Sequence, residues 1–164
     1  MLYRKLMDYA LTLLGHRRYT SCEIKDKLEK KCNREFRENF DEKECRAAIT
    51  KVLNRLTELK YLDDDEYAAD FIANRIKLKP KGRYGLVYEL KKKGINPAAV
   101  DKYFEENSIH EEEIALKIAR EKLGRLNISL PEEKKRSKII MFLNSRGFNP
   151  HIIYEVMDKI FNKI

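Results

Sequence analysis

The residues Leu90-Lys-Lys-Lys-Gly94-Ile95-Asn96-Pro97 return 53 positions later as Leu143-Asn-Ser-Arg-Gly147-Phe148-Asn149-Pro150. In each copy an apolar-periodic run ends in basic residues and a glycine, which takes up the left-handed conformation after a helix at no steric cost. One apolar residue then leads into Asn-Pro, an N-cap followed by a proline at the first helical position, where its missing N–H loses nothing. Each copy therefore predicts helix, tight turn, helix. The match continues without gaps from Leu86/Ile139 through Leu90/Leu143 to Val100/Ile153 and Phe104/Met157, positions that face a core on both sides of the turn. Such a period describes a chain made of small helical units that stack on one another.

The rest of the chain extends this pattern. Leu2, Leu6, Tyr9, Ala10, Leu13 and Leu14 predict a first helix closed by Gly15. Thr20 and Glu23 form a capping box that opens a second helix, in which Leu28 stands where Leu90 and Leu143 stand later. The first unit departs from the others after Leu28, where about seven extra polar and basic residues lengthen the helix or the turn. Asp41 then caps a third helix bearing Cys45, Ile49, Val52, Leu53, Leu56 and Leu59, with Cys45 in the place of Val100 as a small buried hydrophobe. A fourth helix ends near Leu78, and a fifth and sixth carry Leu86, Leu90, Val100 and Phe104. Three more follow: the first has Ile114, Ala115, Ile118, Ala119 and Leu123 on one face, and a loop from Gly124 to Leu130 precedes Pro131. The eighth has Ile139, Ile140, Phe142 and Leu143 on its apolar side, and the ninth uses Ile153, Val156 and Met157. No period-two pattern competes, so the expectation is an all-α fold of three tandem three-helix repeats. Their expected bounds are 1–62, with the extension at about 30–39, then 63–108 and 109–164.

Several functions are disfavoured by what the residues are. Cys22, Cys32 and Cys45 are odd in number and lack C-x-x-C spacing, so the expectation is reduced thiols in a cytoplasmic protein. No stretch approaches 18 apolar residues, so no membrane association is expected. There is no phosphate-binding G-x-x-x-x-G-K-[ST] and no H-E-x-x-H, and His16, His110 and His151 lie in separate units. The expectation is a protein that is not an enzyme and takes no cofactor and no metal. Asp63, Asp64, Asp65 and Glu66 resemble a metal cluster, but acids in a first helical turn are what the helix dipole favours.

Charge points the other way, toward polyanions. With 35 basic and 27 acidic residues the net charge is +8, and Arg75 to Lys93 holds eight basic residues against Glu89 alone. The expected contact residues are Arg75, Lys77, Lys79, Lys81, Arg83, Lys91, Lys92 and Lys93, joined by Arg17, Arg18, Arg136 and Arg146. Arg83 and Arg136 are repeat-equivalent, as are Lys93 and Arg146, so stacking could align them as a stripe. Solvated faces and helix C-termini also collect lysines, which is the competing explanation. Tyr19 and Tyr84 adjoin these bases and could stack on nucleobases, though each also fits a core edge.

The order Arg18…Ser21-x-Glu23-Ile24…Leu28, then Leu59-x-Tyr61-Leu62-Asp63-Asp64-x-x-Tyr67-Ala68, then Gly85…Glu89-Leu90-x-x-Lys93-Gly94-Ile95, then Leu143-x-x-Arg146-Gly147-Phe148 resembles the RecX family of recombinase regulators. That resemblance implies an elongated, curved array that lodges in the groove of the RecA filament and inhibits its ATP hydrolysis, strand exchange and co-protease activity. It also implies RecA as the partner, with single- or double-stranded DNA as a direct contact of some members, and action as a monomer is expected. Two other classes compete on the residues alone: a DNA-binding helical repeat without recombinase specificity, and a helical scaffold for other proteins.

Overall fold

The computed structural model describes residues 1–162. Among them are nine α-helices: α1 Leu2–His16, α2 Ser21–Lys31, α3 Glu42–Glu58, α4 Asp64–Leu78, α5 Arg83–Lys91, α6 Ala98–Glu106, α7 Glu111–Gly124, α8 Glu132–Ser145 and α9 Pro150–Phe161. One turn of π-helix, Cys32–Phe36, follows α2, and no strand occurs among the described residues. The helices form two compact units, one of Met1–Ala68 with Lys92–Ile95 and one of Ala69–Lys91 with Asn96–Ile164.

The repeat is carried by side chains in the same register. Ile24 and Leu28 of α2, Leu86 and Leu90 of α5, and Ile139 and Leu143 of α8 are all fully buried. The helix after each places a second matched pair inside, namely Cys45 and Ile49, Val100 and Phe104, and Ile153 and Met157. Spacing of four residues puts both members of a pair on one helical face, so a single stripe is buried three times over. In the first unit Leu2, Leu6 and Ala10 of α1 complete this core, and in the second Ala115, Ile118 and Ala119 of α7 do so.

Four sequence expectations need correction. Gly15 does not close α1, because no turn demands its freedom there and the helix runs on to His16 before Arg17 goes extended. Gly124 belongs to α7 rather than to the following loop. Leu59 is the C-cap of α3, beyond its last full turn, and lies largely in solvent. Ile140 is exposed because its neighbours Ile139 and Leu143 hold the inward stripe of α8. The extension after Leu28 lengthens both the helix and the turn: α2 continues to Lys31, the π turn buries Cys32 and Phe36, and residues 37–40 form the turn before α3. All three cysteines are free thiols, with Cys32 and Cys45 buried and Cys22 half-buried.

The repeated turn has a structural purpose that its spacing alone does not convey. Gly94 and Gly147 both adopt left-handed backbone, with φ of 72° and 74°. Each turn docks on the start of an earlier middle helix within its own unit. Thr20, fully buried, donates its hydroxyl to the Lys93 carbonyl at 2.6 Å, while Thr20 Oγ1 accepts the Glu23 N–H at 3.2 Å. In the second unit Gly82 N–H and Gly85 N–H donate to the carbonyls of Arg146 and Gly147 at 2.9 and 3.2 Å. A Cβ on Gly94 would collide with the Cys22 side chain, and one on Gly147 would collide with the Gly85 backbone. The first helical residue after each link adds a further cap: Asp64 accepts from Ser21 N–H at 2.8 Å, and Glu111 accepts from Arg83 N–H at 3.0 Å. These amides open α2 and α5 and have no partner within their own helix.

Candidate functional site

The twelve basic residues singled out above are set by helix ends and turns, and most of them meet an acid of the chain itself. Arg17 reaches Glu23 at 3.4 Å with its guanidinium 3.5 Å from the centre of the Tyr19 ring, and Arg18 pairs with Glu66 at 2.7 Å. Arg75 and Lys81 converge on opposite oxygens of Glu89, at 2.8 and 2.7 Å. Arg83 pairs with Asp101 and with Glu111 and lies over the Phe104 ring. Lys93 bonds Glu23 at 3.2 Å, and Arg136 bonds Glu132 at 3.1 Å and Asn162 at 2.7 Å. Lys77 and Lys79 at the end of α4, and Lys91 and Lys92 at the end of α5, are exposed.

These pairs change the carboxylates that hold them. Burial alone would push the Glu23 carboxyl up, but hydrogen bonds from Thr20 N–H, Arg17 and Lys93 outweigh it and leave the pKa lowered. Glu89 behaves alike: burial raises it, and Lys81 and Arg75 more than reverse the effect. For Glu111 burial wins, and its pKa stays raised despite the Arg83 N–H and charge. So the central run, which reads in sequence as an uncompensated positive segment, is partly neutralised by Glu89, Asp101, Glu111 and Glu23 once folded.

The acidic run Asp63 to Glu66 is engaged with backbone. Asp63 accepts from Glu66 N–H at 3.0 Å and Asp64 caps α2. No group of three or more metal-ligating side chains is found among the described residues. Tyr19 packs against the first core, and Tyr84 is exposed with its hydroxyl accepting from Asn149 at 3.1 Å. Among the described residues no helix is long and apolar enough to cross a membrane.

Lys122 and Arg125 escaped the sequence reading, since neither lies in a turn that repeats. The fold brings them beside Lys79 and Arg146 in a cleft of about 340 Å³ in the second unit. There Lys122 and Arg146 flank one ring, Phe142, at 5.6 and 5.1 Å from its centre. Arg146 also donates to the Pro80 carbonyl at 3.4 Å. A search for cations near helix C-termini would have found Lys122 but could not have known that the ends of α4, α7 and α8 meet.

Fold and surface together define an all-α helical-repeat protein whose surface is basic and densely ion-paired. Models of the second and third three-helix domains of RecX match residues 63–103 and 110–157. The chain is 38% identical over 160 residues to a protein named Regulatory protein RecX from Chlorobium phaeobacteroides, covering 96% of this chain and 95% of that one. A namesake from Chlorobaculum tepidum is 34% identical over 151 residues, covering 92% and 85%. The crystal structure of RecX from Lactobacillus salivarius superposes with a TM-score of 0.76 over 99% of this chain and 98% of that one, at 21% identity. The chain belongs to the RecX family of regulatory proteins.

Proposed function

We propose that this chain regulates a RecA recombinase filament on DNA, restraining its ATP turnover, strand exchange and co-protease activity in repair and recombination. The observation that carries the reading is the near full-length likeness to proteins named Regulatory protein RecX. The fold is compatible with it, since stacked helical repeats present more surface per residue than a globule and suit a large polymeric partner. In this reading the chain acts as a monomer in the cytoplasm, without catalysis or cofactor, as three repeats bounded near residues 62 and 108. Its contacts come from the basic residues on and around Arg75 to Lys93, with Arg17, Arg18, Arg136 and Arg146.

The internal ion pairs decide how the contact face should be tested. Reversing Lys81 or Arg83 to Glu would set acid against Glu89, Asp101 or Glu111, confusing lost contact with lost stability. Lys77, Lys79 and Lys91 are the better probes, being exposed and in no ion pair among the described residues.

The test adds the chain to preformed RecA filaments on single-stranded DNA and follows ATP turnover. The expected result is inhibition at well below one chain per recombinase subunit, weakened when Lys77, Lys79 and Lys91 are changed together to Gln. Unchanged turnover alongside tight, salt-sensitive binding to naked DNA would instead favour a DNA-binding repeat without recombinase specificity.

A further inference from the structure

The basic side chains of this protein divide by what they already hold. Arg17, Arg18, Arg75, Lys81, Arg83, Lys93 and Arg136 each meet a carboxylate of the chain. A charge so paired has less to offer a phosphate, because the incoming anion must compete with one already seated. The cleft in the second unit is different. Lys79, Lys122, Arg125 and Arg146 line it with Glu121 as the sole acid, and among the described residues none of the four forms an ion pair.

Helix ends alone do not account for this concentration. The C-termini of α4, α7 and α8 meet at the cleft, and each carries the equivalent of roughly half a negative charge, about 1.5 in all. Four cations against one carboxylate leave a net of three positive charges. A surplus of about 1.5 therefore remains after the dipoles are satisfied. Apolar groups lie among these charges: the Phe142 ring has Lys122 and Arg146 5.6 and 5.1 Å from its centre, and Leu78 on the rim is 76% exposed.

We propose that this cleft seats the phosphodiester backbone of single-stranded nucleic acid, with Lys79, Lys122 and Arg125 neutralising phosphates and Leu78 meeting sugar or base. This rests on the reading of the chain as a regulator of a nucleoprotein filament, and supplies its direct contact to the strand. A concave site of this volume is in the range that takes a nucleotide-sized group, and a convex duplex fits it poorly. A strand also carries a charge on every successive unit, so one occupant can answer several cations at once. Arg146 has a positioning part: bound to the Pro80 carbonyl and near the Phe142 ring, it holds the floor beside which Lys79 and Lys122 act.

Binding of a fluorescein-labelled oligothymidylate to the full chain, followed by anisotropy across a salt series, tests the proposal. Changing Lys122 and Arg125 together to Gln is expected to raise Kd about tenfold or more and to lower the slope of log K against log salt by about 1.4, at roughly 0.7 per phosphate contact. Changing Lys43 and Lys51 on α3 to Gln removes the same charge elsewhere and is expected to shift Kd by less than twofold. Circular dichroism verifies that both variants keep their helices. Equal losses in the two variants would overturn the proposal, because the effect would then be net charge alone. So would a cleft variant that keeps the oligothymidylate but loses polyglutamate, which would mark an acidic peptide as the occupant. Wild-type binding that leaves RecA filament ATP turnover untouched would refute the filament reading while still supporting the cleft.

Discussion

Six glycines occur in this chain, and they are not equivalent. Gly147 has φ of 74° and its missing Cβ leaves space for the Gly85 backbone, so Gly147→Ala is expected to cost about 2–4 kcal/mol in urea denaturation, from left-handed strain and a contact that cannot relax. Gly15 lies inside α1 with nothing within reach of an added Cβ, so Gly15→Ala is expected to stabilise by about 0.5–1 kcal/mol. Glu23 offers a pH-dependent counterpart. Its pKa is lower folded than unfolded, so its stabilisation is present above roughly pH 4.3 and is lost as pH falls through the folded value. Glu23→Gln is expected to cost about 1–2 kcal/mol at pH 7, a difference that shrinks as the pH is lowered through the folded value, read from urea midpoints. Glu111 has the opposite sign: its raised pKa makes its contribution fall as pH rises from the unfolded to the folded value.

At the scale of elements, the recurrent device is the helix start. The capping boxes Thr20/Glu23 and Asp41/Glu44 close their own first turns. Asp64 and Glu111 reach from the first residue of one helix to the first amide of another. A box has residues three apart and can be read along the chain, whereas the cross-helix caps join positions 43 and 28 apart. Asp64→Ala is therefore expected to cost about 1–2 kcal/mol, with faster amide hydrogen exchange at Ser21 as its local signature. Little or no change at that amide would show that the bond is incidental. The acids at the start of α4 looked in sequence like a response to the dipole. In the fold Asp64 meets that demand and also ties α4 to α2.

For the whole molecule, the matched leucines set the accounting. Leu28, Leu90 and Leu143 are each fully buried at equivalent places, and truncation of any one to Ala should cost about 2–5 kcal/mol. Because each sits in its own local packing, loss of hydrogen-exchange protection is expected to be greatest around the helix that carries the change. Uniform loss along the chain would mean that folding is cooperative across all of the repeats. The net charge of +8 is likewise a property of the whole, but the structure distributes it unevenly between paired and unpaired side chains.

Much of this was written in the order of residues. Helical period, glycine turns, the Asn149-Pro150 start of α9 and the capping box at Thr20 act over three or four neighbours, and such local chemistry is legible without a fold, although α6 starts one residue later, at Ala98 with Pro97 as its N-cap. The repeat register follows too, because burial of a stripe needs only its spacing. What the chain could not disclose was which charges remain available. Arg83 and Lys93 look as open as Lys79 in sequence, yet carboxylates 18 and 70 positions away engage them. Lys79, the Lys122 and Arg125 of one helix end, and Arg146 come from three different segments and become a cationic cleft only because three helices end together. Coulomb interactions depend on distance in space, and only tertiary packing determines that distance.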